Sequence, residues 1–243
     1  MFRIARARRL LARLHVWIGW AVAVPLLLWT VSGLWMVARP IDEVRGAHLL
    51  AEPPPLRLPV ALVPPRTEGR PLSSLRVATL PGGPAWMATF ADGGARSARL
   101  DTGAWLPGPG AAEAADAARR YLARPSPVVA VTRTPANAPP LDLRRARPAW
   151  RVQFADGAHV YVDAETGEVL ALRTRQWRAF DFMWGLHILA PREREDTSHP
   201  VLIVAAALAL LTLVAGTLLL PRPRRRKAKS KRGSETAPPA ASF

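Results

Sequence analysis

The chain of 243 residues contains no cysteine. Disulfides, thiolate metal sites and cysteine nucleophiles are therefore excluded, and the chain can fold in an oxidising compartment without mispairing. Catalytic motifs are also absent, because no HExxH, GxSxG, phosphate-loop or zinc-like spacing occurs. Short acidic side chains often bond local backbone in turns, and we interpret in this way Asp92, Asp101, Asp156, Asp163 and Glu165. An enzyme is the less favoured interpretation.

Excess positive charge is low in the middle of the chain and high at its two ends. The formal net charge is +16. Five arginines precede residue 16, and eight Lys or Arg against one Glu follow Leu220, so the ends carry +12 of the total. Basic clusters beside apolar segments are typical of membrane topology and of attraction to anionic lipid, rather than of nucleic-acid recognition. We therefore expect the lipid bilayer as a partner and no nucleic acid.

The first long hydrophobic segment is a run of 23 uncharged residues at 16–38. At about 1.5 Å per residue, a helix of this length reaches roughly 34 Å, enough for the ~30 Å hydrocarbon layer of a bilayer. The alternative is a cleaved signal peptide. The run is longer than the usual apolar core of roughly 7–15 residues, and no A-x-A site closes it. We predict an uncleaved transmembrane helix.

A second uncharged run covers residues 201–220. Moving clustered cations across a membrane is costly, so basic segments tend to stay on the cytoplasmic side. The leader before the first run and the tail after the second are both basic, and they place both ends of the chain on one side. We predict cytoplasmic termini and an extracytoplasmic region between the spans.

The segment 53–71 contains seven prolines. Fixed φ angles and missing N–H donors favour an extended polyproline-like chain over a helix or central strand. We interpret this segment as a stiff spacer, with residues 59–63 as a candidate edge strand.

An internal repeat is the strongest sign of a folded region. Residues 84–106 and 148–170 align without a gap at a constant offset of 64, and ten of the 23 positions are identical. Each copy predicts a β-hairpin that continues into a third strand. In the second copy, the apolar residues that alternate with polar ones, as in a half-buried strand, are Trp150, Val152 and Phe154.

The connector of the second hairpin decides which side chains are buried. A two-residue loop at 156–157 would leave Val160 on the polar face. A three-residue loop with Gly157 in the left-handed conformation pairs Val152 with Val160, and we predict that register because it buries the apolar set. It places His159 and Tyr161 on the outward face, so we expect His159 to be a surface histidine.

Two further segments predict helices, and 127–134 predicts a strand. The Ala-rich stretch 111–123 has acids early and arginines late, which matches the helix dipole, and it can pack on a sheet. The stretch 175–191 places Trp177, Phe180 and Trp184 near one helical face just before the second span. This pattern is typical of an interfacial helix with its rings at headgroup level.

The stretch WRVQFADGAHVYVDAETGEVLAL, with the helix before it, resembles the PepSY domain. RLHVWIGWAVAVPLLLWTVSGLWMV and LHILAPREREDTSHPVLIVAAALALLTLVAGTLLL resemble the PepSY-associated transmembrane helices. The resemblance implies a bacterial inner-membrane protein with PepSY-like modules in the periplasm. Some members have more spans and are linked to ferric-siderophore reduction and iron uptake, with haem held by membrane histidines. PepSY modules also occur in metalloprotease propeptides and are associated with restraint of peptidases.

The predicted fold class is α+β, with two transmembrane helices flanking a periplasmic region that holds two PepSY-like antiparallel hairpin repeats and a short helix. The parts in order are a basic cytoplasmic leader (1–15), a first transmembrane helix (16–38), a proline-rich periplasmic spacer (39–71), a PepSY-like region (72–174), an interfacial segment (175–200), a second transmembrane helix (201–220) and a basic disordered cytoplasmic tail (221–243).

Haem b in a membrane commonly needs two neutral imidazoles that face each other at the same depth. The candidates are His15 at the cytoplasmic start of the first span, and His187 and His199 before the outer end of the second. We expect His15 about 30 Å from the other two across the bilayer, so they cannot share one haem within one chain. A homodimer could pair equivalent histidines. The competing interpretation is that all three are interfacial residues.

Three functions are compatible with the sequence. The preferred one is a membrane-anchored binding or regulatory accessory protein, linked by resemblance to iron uptake, that contacts a membrane or periplasmic protein partner or a second copy of the chain. The second is a haem-binding electron-transfer component of ferric-siderophore reduction. The third is a peptidase inhibitor. The repeat and the absence of a catalytic set favour the first.

The charge distribution generates a test of topology. Reporter fusions within the two repeats, 84–106 and 148–170, should report an extracytoplasmic location, and fusions to the tail should report the cytoplasm. Alkaline phosphatase, active outside, and green fluorescent protein, fluorescent inside, measure the two cases. A cytosolic signal from both repeats would overturn the compartment on which every functional interpretation depends.

Overall fold

The computed structural model describes residues 2–59 and 61–220, so the predicted tail at 221–243 lies outside the described part. The helices are α1 (Phe2–Val37), α2 (Ile41–Arg45), α3 (Ala111–Tyr121), α4 (Arg175–His187) and α5 (Pro200–Leu219), with a 3-10 helix at Ala47–Leu49. The strands are β1 (Leu72–Leu80), β2 (Gly83–Phe90), β3 (Ala95–Ala98), β4 (Val128–Thr134), β5 (Ala149–Phe154), β6 (His159–Asp163) and β7 (Val169–Arg173). The α+β class with antiparallel strands is confirmed.

Two helices are long and apolar enough to cross a membrane, Ala5–Val37 within α1 and Pro200–Leu219. In the most apolar 18-residue stretch of each helix, only 6% and 11% of the residues are buried within the protein, so most of the apolar surface faces outward. The sequence placed the start of the first helix at residue 16, whereas the structure begins it at Phe2. The leader is helical because it consists mainly of Arg, Ala and Leu, which are strong helix formers.

The chain divides into two compact units. Of the described residues, one unit contains 2–23 and 205–220, and the other contains 24–59 and 61–204. The second unit holds both sheets, in the orders β1-β2-β3 and β4-β5-β6-β7.

The predicted register of the second copy is confirmed. Val152 pairs with Val160, and Trp150 pairs with Val162. Gly157 has a φ of +84°, and the Phe154 N–H donates to the Ala158 carbonyl at 2.9 Å, which closes a three-residue connector.

The first copy repeats this geometry. Ala88 pairs with Arg96, as Val152 pairs with Val160 in the second copy. The duplication also includes β1, which the repeat in the sequence did not reveal. β1 and β4 pair with β2 and β5 in the same register, and each carries a bulge at the same place, Leu72/Ser74 in one and Val128/Ala130 in the other. The counterpart of the β6–β7 pairing is a single bridge between Ala98 and Trp105.

Helix α3 covers one face of the second sheet. Its N-terminus is capped by Glu113, whose Oε2 accepts from the Gly110 N–H at 2.8 Å. Four alanines, at positions 114, 115, 117 and 118, are buried against Val152, Phe154 and Val160. Small side chains let the helix backbone approach the strands closely, and the branched strand residues fill the remaining space.

The first sheet is covered by a proline-rich segment rather than by a helix such as α3. We call residues 61–71 of this segment the strap. The Trp86 indole N–H donates to the Val63 carbonyl at 2.8 Å, and the Trp105 indole donates to the Arg66 carbonyl at 3.2 Å. Phe90, the counterpart of Phe154, lies under Trp105 and under the guanidinium of Arg70. The segment predicted as a spacer is therefore packed against the first copy, and its described residues around position 60 form no strand.

The outward face of the second sheet is not exposed, which corrects the prediction for His159 and Tyr161. Tyr161 is fully buried beside Leu143 and Ala149. The connection between β4 and β5 folds over this face, and the His159 side chain beneath it is only 20% exposed. A Pro/Asn-rich loop carries no periodic pattern, so its packing could not be derived from the sequence.

The two copies provide a matched pair for a stability test. Gly103 and Gly167 occupy equivalent turns and have φ values of +68° and +76°, where an L side chain costs about 1–2 kcal/mol. A Cβ at Gly103 would lie 2.6 Å from the backbone carbonyl oxygen of Pro64, whereas a Cβ at Gly167 would meet only the Pro109 side chain, at 3.8 Å. Gly103→Ala should therefore lower the melting temperature of the full-length chain more than Gly167→Ala does.

Thermal unfolding in detergent, followed by tryptophan fluorescence, measures this difference. Equal losses for the two variants would contradict the asymmetry.

Candidate functional site

A cleft lies between the two copies in the second unit, where the β1–β2 turn approaches α3. It consists of two adjoining cavities of ≈360 and ≈530 Å³, which share Leu80, Pro81 and Arg120 in their walls. The prolines and glycines at 81–84 form one side of the smaller cavity, and α3 contributes Ala117 to it. The duplication thus creates a concave surface that neither copy could form alone.

The segment after α2 forms another wall of the larger cavity. Its backbone is joined to the end of α3, because the Ala51 N–H donates to the Tyr121 carbonyl at 3.0 Å and the Ala123 N–H donates to the Leu49 carbonyl at 2.9 Å. This pairing places Glu52 at the cavity that Arg120 also lines. Sequence reasoning did not identify the cleft. The repeat was the available signal, since binding sites often form between domains.

His15 makes a helix–helix contact in the first unit. Its Nδ1 lies 3.0 Å from the Thr212 carbonyl, and because a carbonyl only accepts, Nδ1 carries the hydrogen. The ring lies against Gly216, where a Cβ would be 3.0 Å from Cε1 and 3.5 Å from Nε2 of His15. Small residues allow such close helix contacts in membranes, and polar bonds strengthen them.

His187 makes a similar contact in the second unit. Its Nδ1 lies 3.1 Å from Oγ of Ser32, and that hydroxyl donates to the Leu28 carbonyl, so it accepts from His187. A Cβ at Gly33 would lie 3.3 Å from Cε1 of the same ring. This bond and the Trp35–Phe180 ring contact join α4 to α1.

His199 has both ring nitrogens engaged. Nε2 donates to the Ile188 carbonyl at 2.7 Å, and Nδ1 accepts from the Leu202 N–H at 3.4 Å. An axial haem ligand needs a free ring nitrogen. His199 has none in this arrangement. Nε2 of His15 and Nε2 of His187 form no hydrogen bond with the described residues. Haem binding stays a prediction from the sequence.

Asp142 holds the loop over the second sheet. Its carboxylate accepts from the Tyr161 hydroxyl at 2.7 Å and lies 3.3 Å from Nδ1 of His159, and its carbonyl accepts from Arg173 at 2.6 Å. Burial would raise the pKa of Asp142, but the hydrogen bonds from His159 and Tyr161 outweigh burial and hold this pKa below its usual value. Burial, and then the bond to Asp142, raise the pKa of Tyr161, which stays a neutral donor.

A buried carboxylate joins the same loop to α4. Asp181, with a side chain 6% exposed, accepts from Arg144 at 2.5 Å and from Arg194 at 2.7 Å. The Trp184 indole donates to the Arg194 carbonyl at 3.2 Å. We call Arg144, Asp181 and Arg194 the clamp. It connects the β4–β5 loop, α4 and the loop before α5.

The turn interpretation is confirmed for three of the acids singled out in the sequence. Asp92 accepts from the Gly94 N–H at 2.9 Å, Asp156 accepts from the Ala158 N–H at 2.8 Å, and Asp163 accepts from two N–H groups in the turn that follows it. No group of three or more His, Asp or Glu residues that could hold a metal ion occurs in the described part of the chain.

Comparison of the chain with protein-family models, curated proteins and solved structures finds no match. Membership of the PepSY family therefore stays a prediction from the sequence motifs.

The Asp142 contacts predict a pH-dependent contribution to stability. A carboxyl whose pKa is lower in the folded than in the unfolded chain stabilises the fold above its unfolded pKa of about 3.9, and the stabilisation is lost as the pH falls through the folded value. Asp142→Asn should lower the free energy of unfolding by about 1–3 kcal/mol at pH 7, and the deficit should shrink below about pH 4.

Denaturant unfolding at a series of pH values measures this deficit. Tyr161→Phe serves as the control, because it removes one hydrogen bond to Asp142 and leaves the Asp142 carboxylate in place. A deficit for Asp142→Asn that is the same at pH 7 and pH 3 would contradict the assignment.

Proposed function

We propose that this chain is a membrane-anchored, PepSY-type binding protein that regulates or assists a membrane or periplasmic protein partner. In this proposal the two apolar helices lie in the bacterial inner membrane. Both termini lie in the cytoplasm, and the duplicated module lies in the periplasm. The observation that carries the proposal is the cleft between the two copies, because a concave and largely apolar surface between repeats suits binding.

The clamp supports a regulatory role. The β4–β5 loop lies on the second sheet and is bonded through Arg144 to Asp181 of α4. Helix α4 is bonded in turn to α1 through Ser32 and His187. These contacts join the loop to α1 through α4, and contiguous contacts of this kind can carry coupling between an external module and membrane helices.

Within residues 2–59 and 61–220, three of the acidic residues singled out in the sequence have structural partners that suit a binding module. Asp92, Asp156 and Asp163 are bonded to turn backbone. Asp142 and His159 are within 3.3 Å of each other, but the third member of their cluster is a buried tyrosine hydroxyl rather than an exposed nucleophile. The link to iron uptake rests on the resemblance to PepSY proteins.

In-cell crosslinking tests the proposal. A photoreactive amino acid at Leu80, in the wall of the cleft, should give a discrete protein adduct, and the same group at Asp116, on the exposed side of α3, should not. If partner and membrane helices are coupled through the clamp, the adduct should also weaken in an Asp181→Ala variant that circular dichroism shows to be folded.

Two results would overturn this function. One is the absence of any adduct that depends on the position of the crosslinker. The other is a Soret absorption band in full-length protein purified from haem-replete cells, which would indicate an electron-transfer component instead.

A further inference from the structure

In the described part of the chain, four charged side chains line the cleft, and two of them have partners within the protein. Glu113 accepts from the Gly110 N–H at 2.8 Å. Glu168 forms an ion pair with Arg76 at 2.7 Å. These two carboxylates have structural partners that a ligand would have to displace.

The other two are a cation and an anion that do not pair with each other. Arg120, in the last turn of α3, and Glu52, in the segment joined to the end of α3, both line the ≈530 Å³ cavity. Neither side chain forms an ion pair within 4.0 Å or a hydrogen bond among residues 2–59 and 61–220. The cavity therefore presents two separated charges of opposite sign.

The remaining wall of this cavity is mainly apolar. It consists of Leu50, Ala51, Pro53, Pro54, Leu80, Pro81, Tyr121 and Val169, with Thr79. Proline has no backbone N–H, so the wall at 53–54 offers no donor. A ligand body in contact with this wall must be apolar, since buried polar groups without partners cost free energy.

We propose that the larger cavity binds an apolar zwitterion, a molecule that carries one carboxylate and one ammonium group on an apolar body, as in a free apolar amino acid or a short apolar peptide. This inference rests on the proposed binding function and names the ligand class of its cleft. The carboxylate pairs with the guanidinium of Arg120, which offers two parallel N–H donors. The ammonium group pairs with the carboxylate of Glu52, and the cavity volume lies in the range of small-molecule sites.

Calorimetric titration of the full-length chain in nanodiscs tests the inference. L-leucine and L-leucyl-L-leucine are the zwitterionic probes, and they separate a free amino acid from a peptide as the source. N-acetylleucine lacks the ammonium group and leucinamide lacks the carboxylate. At least one zwitterion should bind saturably, and each singly charged analogue of leucine should bind about tenfold more weakly than the zwitterion or not at all.

Two variants test which charged group of the ligand binds to Arg120 and which binds to Glu52. Arg120→Gln should weaken the zwitterion and N-acetylleucine about tenfold and leave leucinamide unchanged, whereas Glu52→Gln should show the opposite selectivity. Arg119→Gln is the matched control, because Arg119 is the neighbouring residue of α3 but pairs with Asp116 at 2.6 Å. It should leave binding unchanged. Circular dichroism confirms that each variant is folded.

The absence of saturable binding by both zwitterions would overturn the ligand class, as would equal losses for Arg120→Gln and Arg119→Gln. The crosslinking experiment at Leu80 is independent of these probes. A position-dependent adduct without zwitterion binding would leave the proposed function in place and remove only this inference.

Discussion

In both copies a glycine in the left-handed conformation closes the β-hairpin and sets the register of the strands that follow. The connectors at Gly93 and Gly157 have the same φ and the same closing hydrogen bonds. Since side chains alternate between faces, this one turn decides that Val152 and Val160 face α3 and that Tyr161 faces the loop carrying Asp142. A shift of one residue would exchange the two faces.

The two copies share this hairpin and its strand register, and they differ in the segments that pack on their sheets. The second sheet receives α3 on one face and the β4–β5 loop on the other. The first receives the strap held by Trp86 and Trp105, and its β1–β2 turn contains only the residues between Leu80 and Gly83. The short turn leaves open space beside α3, and the cleft lies in that space. The concave surface thus lies between two equivalent units, and α3, which covers the second sheet only, forms one of its walls.

The region that holds the two sheets and the apolar helices are connected by charged and small residues in specific pairs. The clamp surrounds one nearly buried carboxylate with two guanidinium groups, and removing one partner from such a group strongly destabilises a fold. In the helices, His15 on Gly216 and His187 on Gly33 combine a close approach with a polar bond. His15 and His187, which the sequence singled out as candidate ligands, thus also take part in helix packing.

The sequence by itself determined the elements whose signals are local. Two uncharged runs specified apolar helices, the gapless repeat specified two hairpins, and the alternation around Gly157 specified a register that the structure confirms. Hydrophobic periodicity and turn chemistry act over a few residues, so they are readable without a fold.

Tertiary structure alone decided the rest, because it concerns residues that are distant in the chain. The packing of the strap, the burial of Tyr161 and the clamp each join segments separated by tens of residues, and no local pattern encodes those contacts. Glu52 and Arg120 face one cavity only because the end of α3 pairs with the segment after α2. Neither residue belongs to a motif in the sequence. Each becomes a candidate binding residue only because the fold brings both side chains to the same cavity.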